Sequence, residues 1–144
     1  MNRAQQAVAS FKEGFSCSQA VAAAWSELLD LDRHKALKIA QAFGGGMARM
    51  GLTCGAVTGA CMVIGLKYGK IRAEDDEAKE KTYALVHDFI KKFKARHGSI
   101  VCRELIGVDL DTPAGHDQAV ERGIFENLCS KYVRDAVKIL EQIL

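Results

Sequence analysis

Apolar residues recur along most of the chain at spacings of three or four positions, which is the period of an α-helix. In the first predicted helix, residues 3–12, this spacing gives Ala4, Val8 and Phe11 a common face. The segment 74–97 has the clearest pattern, because acidic residues begin it and basic residues end it, as the helix dipole favours. The pattern predicts an all-α fold.

Capping residues and glycines divide this pattern into separate helices. Ser16 and Gln19 have the spacing of a capping box, which predicts the start of a second helix. Asp32 is the predicted N-cap of a third helix, which ends at three consecutive glycines, residues 44–46. These glycines follow a helix instead of opening one, and no strand precedes them, so we do not interpret them as a phosphate-binding loop.

The second half of the chain continues in the same way. Thr53 is the predicted N-cap of a helix over residues 54–68, and Ser99 is expected to open a short helix. Residues 107–127 are the least regular stretch, with a single predicted helical turn, and a final amphipathic helix begins near Ser130. No change of composition marks a domain boundary. We therefore predict a single-domain helical bundle of about five to seven helices over residues 1–144.

Length and charge narrow the classes of function. The 144 residues contain 20 basic and 18 acidic side chains, and the net charge of +2 gives no support for a nucleic-acid partner. The longest nearly uncharged run, residues 52–66, is shorter than the ~20 residues of a membrane span. Met1 is not followed by the apolar region of an export signal. We expect a cytoplasmic protein that does not insert into membranes.

Five cysteines are the unusual feature of the composition. No two have the C-x-x-C spacing, which removes the common zinc-finger and thioredoxin patterns. Their odd number, together with the lack of an export signal, argues against a disulfide-stapled secreted fold. Cys61 lies in the middle of a predicted helix, and we interpret it as a core residue. The other four lie near predicted helix starts: Cys17, Cys54, Cys102 and Cys129.

A cysteine at the start of a helix is favoured as a thiolate, because free backbone N–H groups and the helix dipole stabilise negative charge. We therefore predict lowered pKa values for these four thiols. The thiolate is the form that binds metals, attacks disulfides and meets oxidants. The alternative is that four thiols are buried separately from one another and carry no chemistry.

The helix after Cys54 contains Gly55 and Gly59, each of which costs a helix up to ~1 kcal/mol relative to alanine. Two explanations are open, namely close approach of a neighbouring helix and space for a cofactor beside the thiol. The connector after the three glycines could wrap over the cysteines, with Arg49 offsetting thiolate charge. His116 is the one histidine that we consider as a ligand.

The chain resembles the C_GCAxxG_C_C family of redox-active proteins. The central motif of that family stands here at residues 54–59, which read Cys-Gly-Ala-Val-Thr-Gly. Its leading cysteine matches Cys17, and its trailing pair matches Cys102 and Cys129. The similarity extends over residues 14–137, which is nearly the whole chain.

The resemblance implies a redox or metal-binding role for the four cysteines, as an oxidoreductase or an electron-transfer protein. Two forms of this role stay open: an iron–sulfur cluster held by four thiolates, or dithiol–disulfide cycling with a redox partner and no cofactor. Gly55 and Gly59 are then the candidate cofactor-binding residues. A four-cysteine structural zinc site is an alternative that the wide spacing disfavours. A helical binding module without redox chemistry, in which apolar faces pack against a partner or a second copy, is another.

Overall fold

The computed structural model describes all 144 residues, and they form eight α-helices. The class is all-α as predicted, but the number of helices exceeds the expected five to seven. The irregular stretch after Gly107 accounts for part of the difference, because it holds a nine-residue helix with Thr112 as N-cap and Pro113 at its first position. The helices are α1 (Arg3–Glu13), α2 (Cys17–Ser26), α3 (Arg33–Ala40), α4 (Gly55–Tyr68), α5 (Asp76–His97), α6 (Cys102–Ile106), α7 (Pro113–Glu121) and α8 (Ser130–Ile143).

The helix starts that capping residues predicted are confirmed in the first half of the chain. The backbone N–H of Gln19 donates to Ser16 Oγ over 3.3 Å, and the Gln19 side chain accepts from the Ser16 backbone over 2.9 Å. Asp32 accepts from the backbone N–H of Lys35 over 3.1 Å. These bonds satisfy donors that a helix N-terminus otherwise leaves free, and so they fix where α2 and α3 begin.

Helices α2, α4 and α8 contact one another and form the centre of the bundle, with α1 packed on α2 and α8, and α5 packed on α4 and α8. The closest of these packings joins α2 to α4. A β-carbon at position 59 would lie 2.8 Å from the carbonyl oxygen of Ser18 on α2, and one at position 55 would lie 3.0 Å from the Ser18 nitrogen. The two glycines of α4 therefore allow this approach, which is the first of the two explanations offered for them.

The core between these helices consists of aliphatic and aromatic side chains that are almost fully excluded from solvent. Phe89 and Phe93 of α5 stack with their ring centroids 6.0 Å apart. The remaining large core residues come from α2, α4 and α8: Val21, Val57, Val63, Ile64, Val133, Val137, Ile139 and Leu140. Burial of a side chain of this size stabilises the fold by roughly 1.5–3 kcal/mol.

Two predicted helix starts in the second half are wrong. Thr53 does not cap α4; it pairs with Val101 in an isolated antiparallel bridge, so that Cys54 becomes the N-cap. Val101, not Ser99, precedes α6. The final helix begins at Ser130, as predicted, and a π-helical turn over Phe125–Cys129 runs directly into it.

No helix in the chain combines the length and the apolar character that crossing a lipid bilayer requires.

Candidate functional site

Four of the five cysteines line one cavity, whose volume is about 810 Å³. They are Cys17, Cys54, Cys102 and Cys129, the four that the sequence singled out. Cys61 does not line this cavity and is half-buried on α4. Residues that are 27 to 112 positions apart in the chain, by subtraction of their numbers, are thus brought to one place.

Close packing at the first turns of α2 and α4 brings Cys17 and Cys54 together. Gly55 follows Cys54 directly, and a β-carbon at that position would lie 3.1 Å from Cβ of Cys17. The absence of a side chain at Gly55 therefore lets the start of α4 lie against the start of α2. Gly55 itself lines the cavity.

Backbone hydrogen bonds between two loops place Cys102 beside Cys54. The backbone N–H of Cys54 donates to the carbonyl of Ile100 over 2.7 Å, and that of Cys102 donates to the carbonyl of Leu52 over 2.6 Å. This antiparallel pairing fixes the segments before α4 and α6 side by side. It is a long-range contact that helical periodicity does not reveal.

Cys129 reaches the cavity at the end of the π-helical turn before α8. The hydroxyl of Tyr132, one turn further along, donates to the carbonyl of Leu105 in α6 over 2.8 Å. This bond ties the start of α8 to the helix that carries Cys102. Tyr132 also lines the cavity, and its position three residues after Cys129 could have identified it in the sequence.

The thiols of Cys17 and Cys129 both line the cavity, and each shifts the pKa of the other. The hydrogen bond to Cys129, followed by burial, raises the pKa of Cys17 well above its usual value. The same hydrogen bond lowers the pKa of Cys129. The Cys17 thiol therefore donates to the Cys129 sulfur, and Cys129 is the member of the pair that ionises first.

Burial dominates the other two thiols. It raises the pKa of Cys54 to about 12, although the backbone amides of Ala56 and Val57 act in the opposite direction. Burial raises the pKa of Cys102 to about 11, with the negative charge of Cys129 adding to the effect and the positive charge of Arg103 opposing it. Cys54 is 4% exposed and Cys102 is 7% exposed, so both thiolates would lose most of their hydration.

The prediction that helix starts lower all four pKa values is therefore wrong. It has the correct direction only for Cys129, where the cause is the Cys17 thiol and not a helix N-terminus. The N-terminal amides do lower the pKa of Cys54, but the cost of removing its charge from water is larger. Cys129 is therefore the thiol of this cavity that loses its proton most readily.

A left-handed segment lies along the cavity, and we call residues 45–49 the strap. All five have positive φ angles, including the three that are not glycine, Met47, Ala48 and Arg49, at 67°, 51° and 69°. Each costs roughly 1–2 kcal/mol in this conformation. Backbone hydrogen bonds between residues six positions apart stabilise this turn. For example, the N–H of Ala48 donates to the carbonyl of Ala42 over 2.9 Å.

Gly46 of the strap packs directly on the cysteine site. A β-carbon at this position would lie 2.7 Å from Cβ of Cys102 and 2.6 Å from the Leu52 nitrogen. The expectation that the connector after the three glycines wraps over the cysteines agrees with this placement. Arg49 and His116 both line the cavity, and the His116 ring packs on Phe125 with centroids 5.8 Å apart.

The second glycine proposed to bind a cofactor lies elsewhere. Gly59 is one turn beyond Gly55 on α4, does not line the cavity, and faces the backbone of Ser18. Its position is explained by helix packing.

All five cysteines are free thiols, and no three His, Cys, Asp or Glu side chains have the arrangement that would hold a single metal ion. Tetrahedral zinc holds sulfur at ~2.3 Å, so the four thiols would have to move to ligate one ion. Four cysteines around one cavity nevertheless match the number and type of ligands that an iron–sulfur cluster uses. These four residues would hold such a group.

Comparison with known protein families also singles out the cysteines of this chain. No curated protein and no solved structure matches the chain. One family model matches residues 15–143, and its description is "Putative redox-active protein (C_GCAxxG_C_C)". That description writes glycine before cysteine, whereas residues 54–59 of this chain have the cysteine first. The match spans nearly the whole sequence, and the chain belongs to the C_GCAxxG_C_C family of redox-active proteins.

Proposed function

We propose that this protein carries out thiol–disulfide exchange, with Cys17 and Cys129 cycling between a dithiol and a disulfide. The observation that carries the proposal is the pairing of these two thiols in one cavity, where their interaction raises the pKa of Cys17 and lowers that of Cys129. It joins a thiol of lowered pKa, which attacks, to a second thiol in contact with it, which resolves the mixed disulfide. Exchange requires both partners at contact distance.

The reaction consumes a disulfide of a partner molecule and balances as follows. The Cys129 thiolate attacks one sulfur of the partner disulfide, the partner S–S bond breaks, and its second half leaves as a thiolate. Cys17 gives up its proton and attacks the Cys129 sulfur, which displaces the first half of the partner as a second thiol. The protein is oxidised by two electrons, and the partner disulfide is reduced to two thiols.

Cys54 and Cys102 do not start this exchange. Their pKa values of about 12 and about 11 keep both protonated at neutral pH. Both are nevertheless close enough to the pair for their charges to raise the pKa of Cys17. Neither carries that charge at neutral pH, so there the pKa of Cys17 is raised by its interaction with Cys129 and by burial.

A trapping experiment tests the proposal. The reduced protein is treated with a small disulfide, and the masses of the products are measured by intact mass spectrometry. Cys17→Ser removes the resolving thiol, so a mixed disulfide on Cys129 should accumulate, whereas Cys129→Ser should react much more slowly. Cys61→Ser, which changes a thiol outside the cavity, is the matched control and should behave as wild type. If the Cys17→Ser protein traps nothing on Cys129, the pair is not the exchange site.

An iron–sulfur centre is the second candidate, and the observation that favours it is the number of thiols around one cavity. A disulfide couple needs two cysteines, and four is the usual ligand set of a cluster. Cys17, Cys54, Cys102 and Cys129 would hold it, and a bound cluster would supply one-electron transfer. Loading would also relieve the mutual repulsion of buried thiolates, since the bound irons are positively charged.

Anaerobic purification tests the second candidate. Iron and acid-labile sulfide are assayed together with the visible absorbance of wild type, Cys54→Ser and Cys61→Ser. A cluster requires colour and iron in wild type and Cys61→Ser and their loss in Cys54→Ser. A colourless, iron-free wild type eliminates the cluster.

Structural zinc is a weaker candidate, because no three donors have the arrangement that a single ion needs. A zinc role requires that a chelator lowers the melting temperature, whereas exchange chemistry predicts no change. A cytoplasmic location suits the proposal, since reduced thiols persist there.

A further inference from the structure

The cavity beside the thiols is larger than two contacting sulfurs need. Its volume of about 810 Å³ lies in the range of roughly 300–1,000 Å³ that is typical of small-molecule sites. Cys129 is only 6% exposed, so its sulfur is reached through the cavity and not from a flat outer surface. A small molecule fits a cavity of this volume and can reach the sulfur through it.

Basic side chains outnumber acidic ones around this cavity. Lys12, Arg49 and His116 line it, against the single carboxylate of Glu126. Lys12 and Arg49 are exposed and therefore lie at the mouth, whereas His116 is half-buried. The apolar part of the lining includes Phe125, on which the His116 ring packs. An entering molecule thus meets positive charge first and apolar surface beside it.

The strap holds Arg49 at this mouth in a costly backbone conformation. Arg49 has a φ of 69°, and a β-carbon on Gly45 would lie 2.9 Å from its Cα, so the turn is closely packed on itself. The end of the strap is anchored by Arg103, whose Nη2 donates to the Met50 carbonyl over 3.0 Å. Strained backbone of this kind is retained mainly at functional sites.

We propose that this cavity binds a small disulfide that carries carboxylate groups, held by Arg49 together with Lys12 and His116. The inference rests on the proposed function, because it places the partner disulfide where Cys129 attacks it. The sulfur–sulfur bond of the bound molecule breaks, one half leaves as a thiolate, and Cys17 displaces the other half as a thiol. Arginine is suited to the role because its guanidinium binds carboxylates through two parallel hydrogen bonds.

The test compares three disulfides of similar size and different charge: dithiodiglycolate, 2-hydroxyethyl disulfide and cystamine. Each rate of oxidation of the Cys17–Cys129 pair is divided by the rate of the same disulfide with free 2-mercaptoethanol, which corrects for intrinsic reactivity. The corrected rate should be highest for dithiodiglycolate, although a negative disulfide is repelled by a thiolate. The preference over the neutral disulfide should be about tenfold, the size of one charged hydrogen bond.

Substitutions assign this preference to the strap. Arg49→Gln should remove most of this preference, so that the corrected rate with dithiodiglycolate falls toward the rate with the neutral disulfide. Arg49→Lys should keep part of the preference for dithiodiglycolate, because it keeps the positive charge. Comparing the two variants separates the loss of charge from a disturbance of the turn. Arg72→Gln is the matched control, because Arg72 is an exposed arginine paired with Glu74 away from the cavity.

The possible failures are distinguishable. If all three disulfides oxidise the pair with equal corrected rates, or if Arg49→Gln keeps the preference, the anion site is wrong and the exchange function stands. If none of the three oxidises Cys17 and Cys129, the exchange function fails and the anion site falls with it.

Discussion

At the scale of single residues, the site depends on one proton shared between two sulfurs. Cys17 holds it and Cys129 accepts it, so Cys129 is the more acidic of the two thiols. The remaining thiols are neutral because burial penalises their charge. Two consequences can be measured on the reduced protein.

The first concerns reactivity. Cys17→Ala removes the donor that stabilises the Cys129 thiolate, so the pKa of Cys129 should rise. Each unit of rise lowers the thiolate fraction at neutral pH about tenfold, and alkylation of Cys129 by iodoacetamide should slow accordingly. The pH profile of alkylation, read by peptide mass spectrometry, gives the midpoint directly. An unshifted midpoint in Cys17→Ala, with Cys61→Ala as reference, would contradict the shared proton.

The second concerns stability at high pH. The folded protein keeps the Cys54 proton to a pKa of about 12, whereas an unfolded chain loses it near the ordinary value of 9.0. Between these values the folded state binds more protons, so the free energy of unfolding falls as pH rises. At ~1.4 kcal/mol per unit, this amounts to up to about 4 kcal/mol. Cys54→Ser should flatten this alkaline decline in denaturant titrations, and an identical slope in both proteins would contradict the buried thiol.

At the scale of elements, two glycines four residues apart let α4 pack on α2. Gly59→Ala would bring a methyl group to 2.8 Å from the Ser18 carbonyl and 3.1 Å from Cβ of Val21. We expect a loss of about 1–3 kcal/mol in the free energy of unfolding. Gly65→Ala is the matched control, since no atom lies within 4 Å of that position. It should be neutral or stabilising by up to ~1 kcal/mol, and equal effects at both sites would contradict the packing role.

The strap gives a prediction of the opposite sign. Ala48 has a φ of 51°, a conformation that glycine adopts without a steric cost. Ala48→Gly should therefore stabilise the protein by about 0.5–1 kcal/mol after allowance for the extra freedom of glycine in the unfolded chain. Chemical denaturation measures the change. A clear destabilisation would mean that the left-handed turn is not the ground state of the segment.

The sequence predicts most of these elements because their signals are local. The Ser16 capping box and the apolar periodicity of α5 act within a few residues, and both are confirmed. The start of α4 was misplaced because Thr53 has a partner 48 positions away, Val101, which no local rule identifies. The sequence predicted the strap only as a connector, because no sequence pattern indicates that an alanine or an arginine adopts a left-handed backbone conformation.

At the scale of the whole molecule, the bundle brings together four sulfurs from remote segments. The number and spacing of the cysteines predicted which residues form the site. Their proximity in space, however, depends on the packing of α2 on α4, the backbone pairing of the loops before α4 and α6, and the π-helical turn before α8. Burial, which dominates the pKa values of Cys54 and Cys102, is a property of this assembled structure. It could not be read from positions near helix starts.

An equilibrium redox titration with disulfide mapping tests the central claim most directly. Reduced protein is equilibrated in buffers of graded thiol–disulfide potential, quenched with a thiol-alkylating reagent, digested and analysed by mass spectrometry. The account predicts one two-electron transition in which a Cys17–Cys129 disulfide forms first, while Cys61 stays alkylated throughout. A first disulfide that joins any other pair, or thiols that all stay reduced at the most oxidising potential, would contradict it.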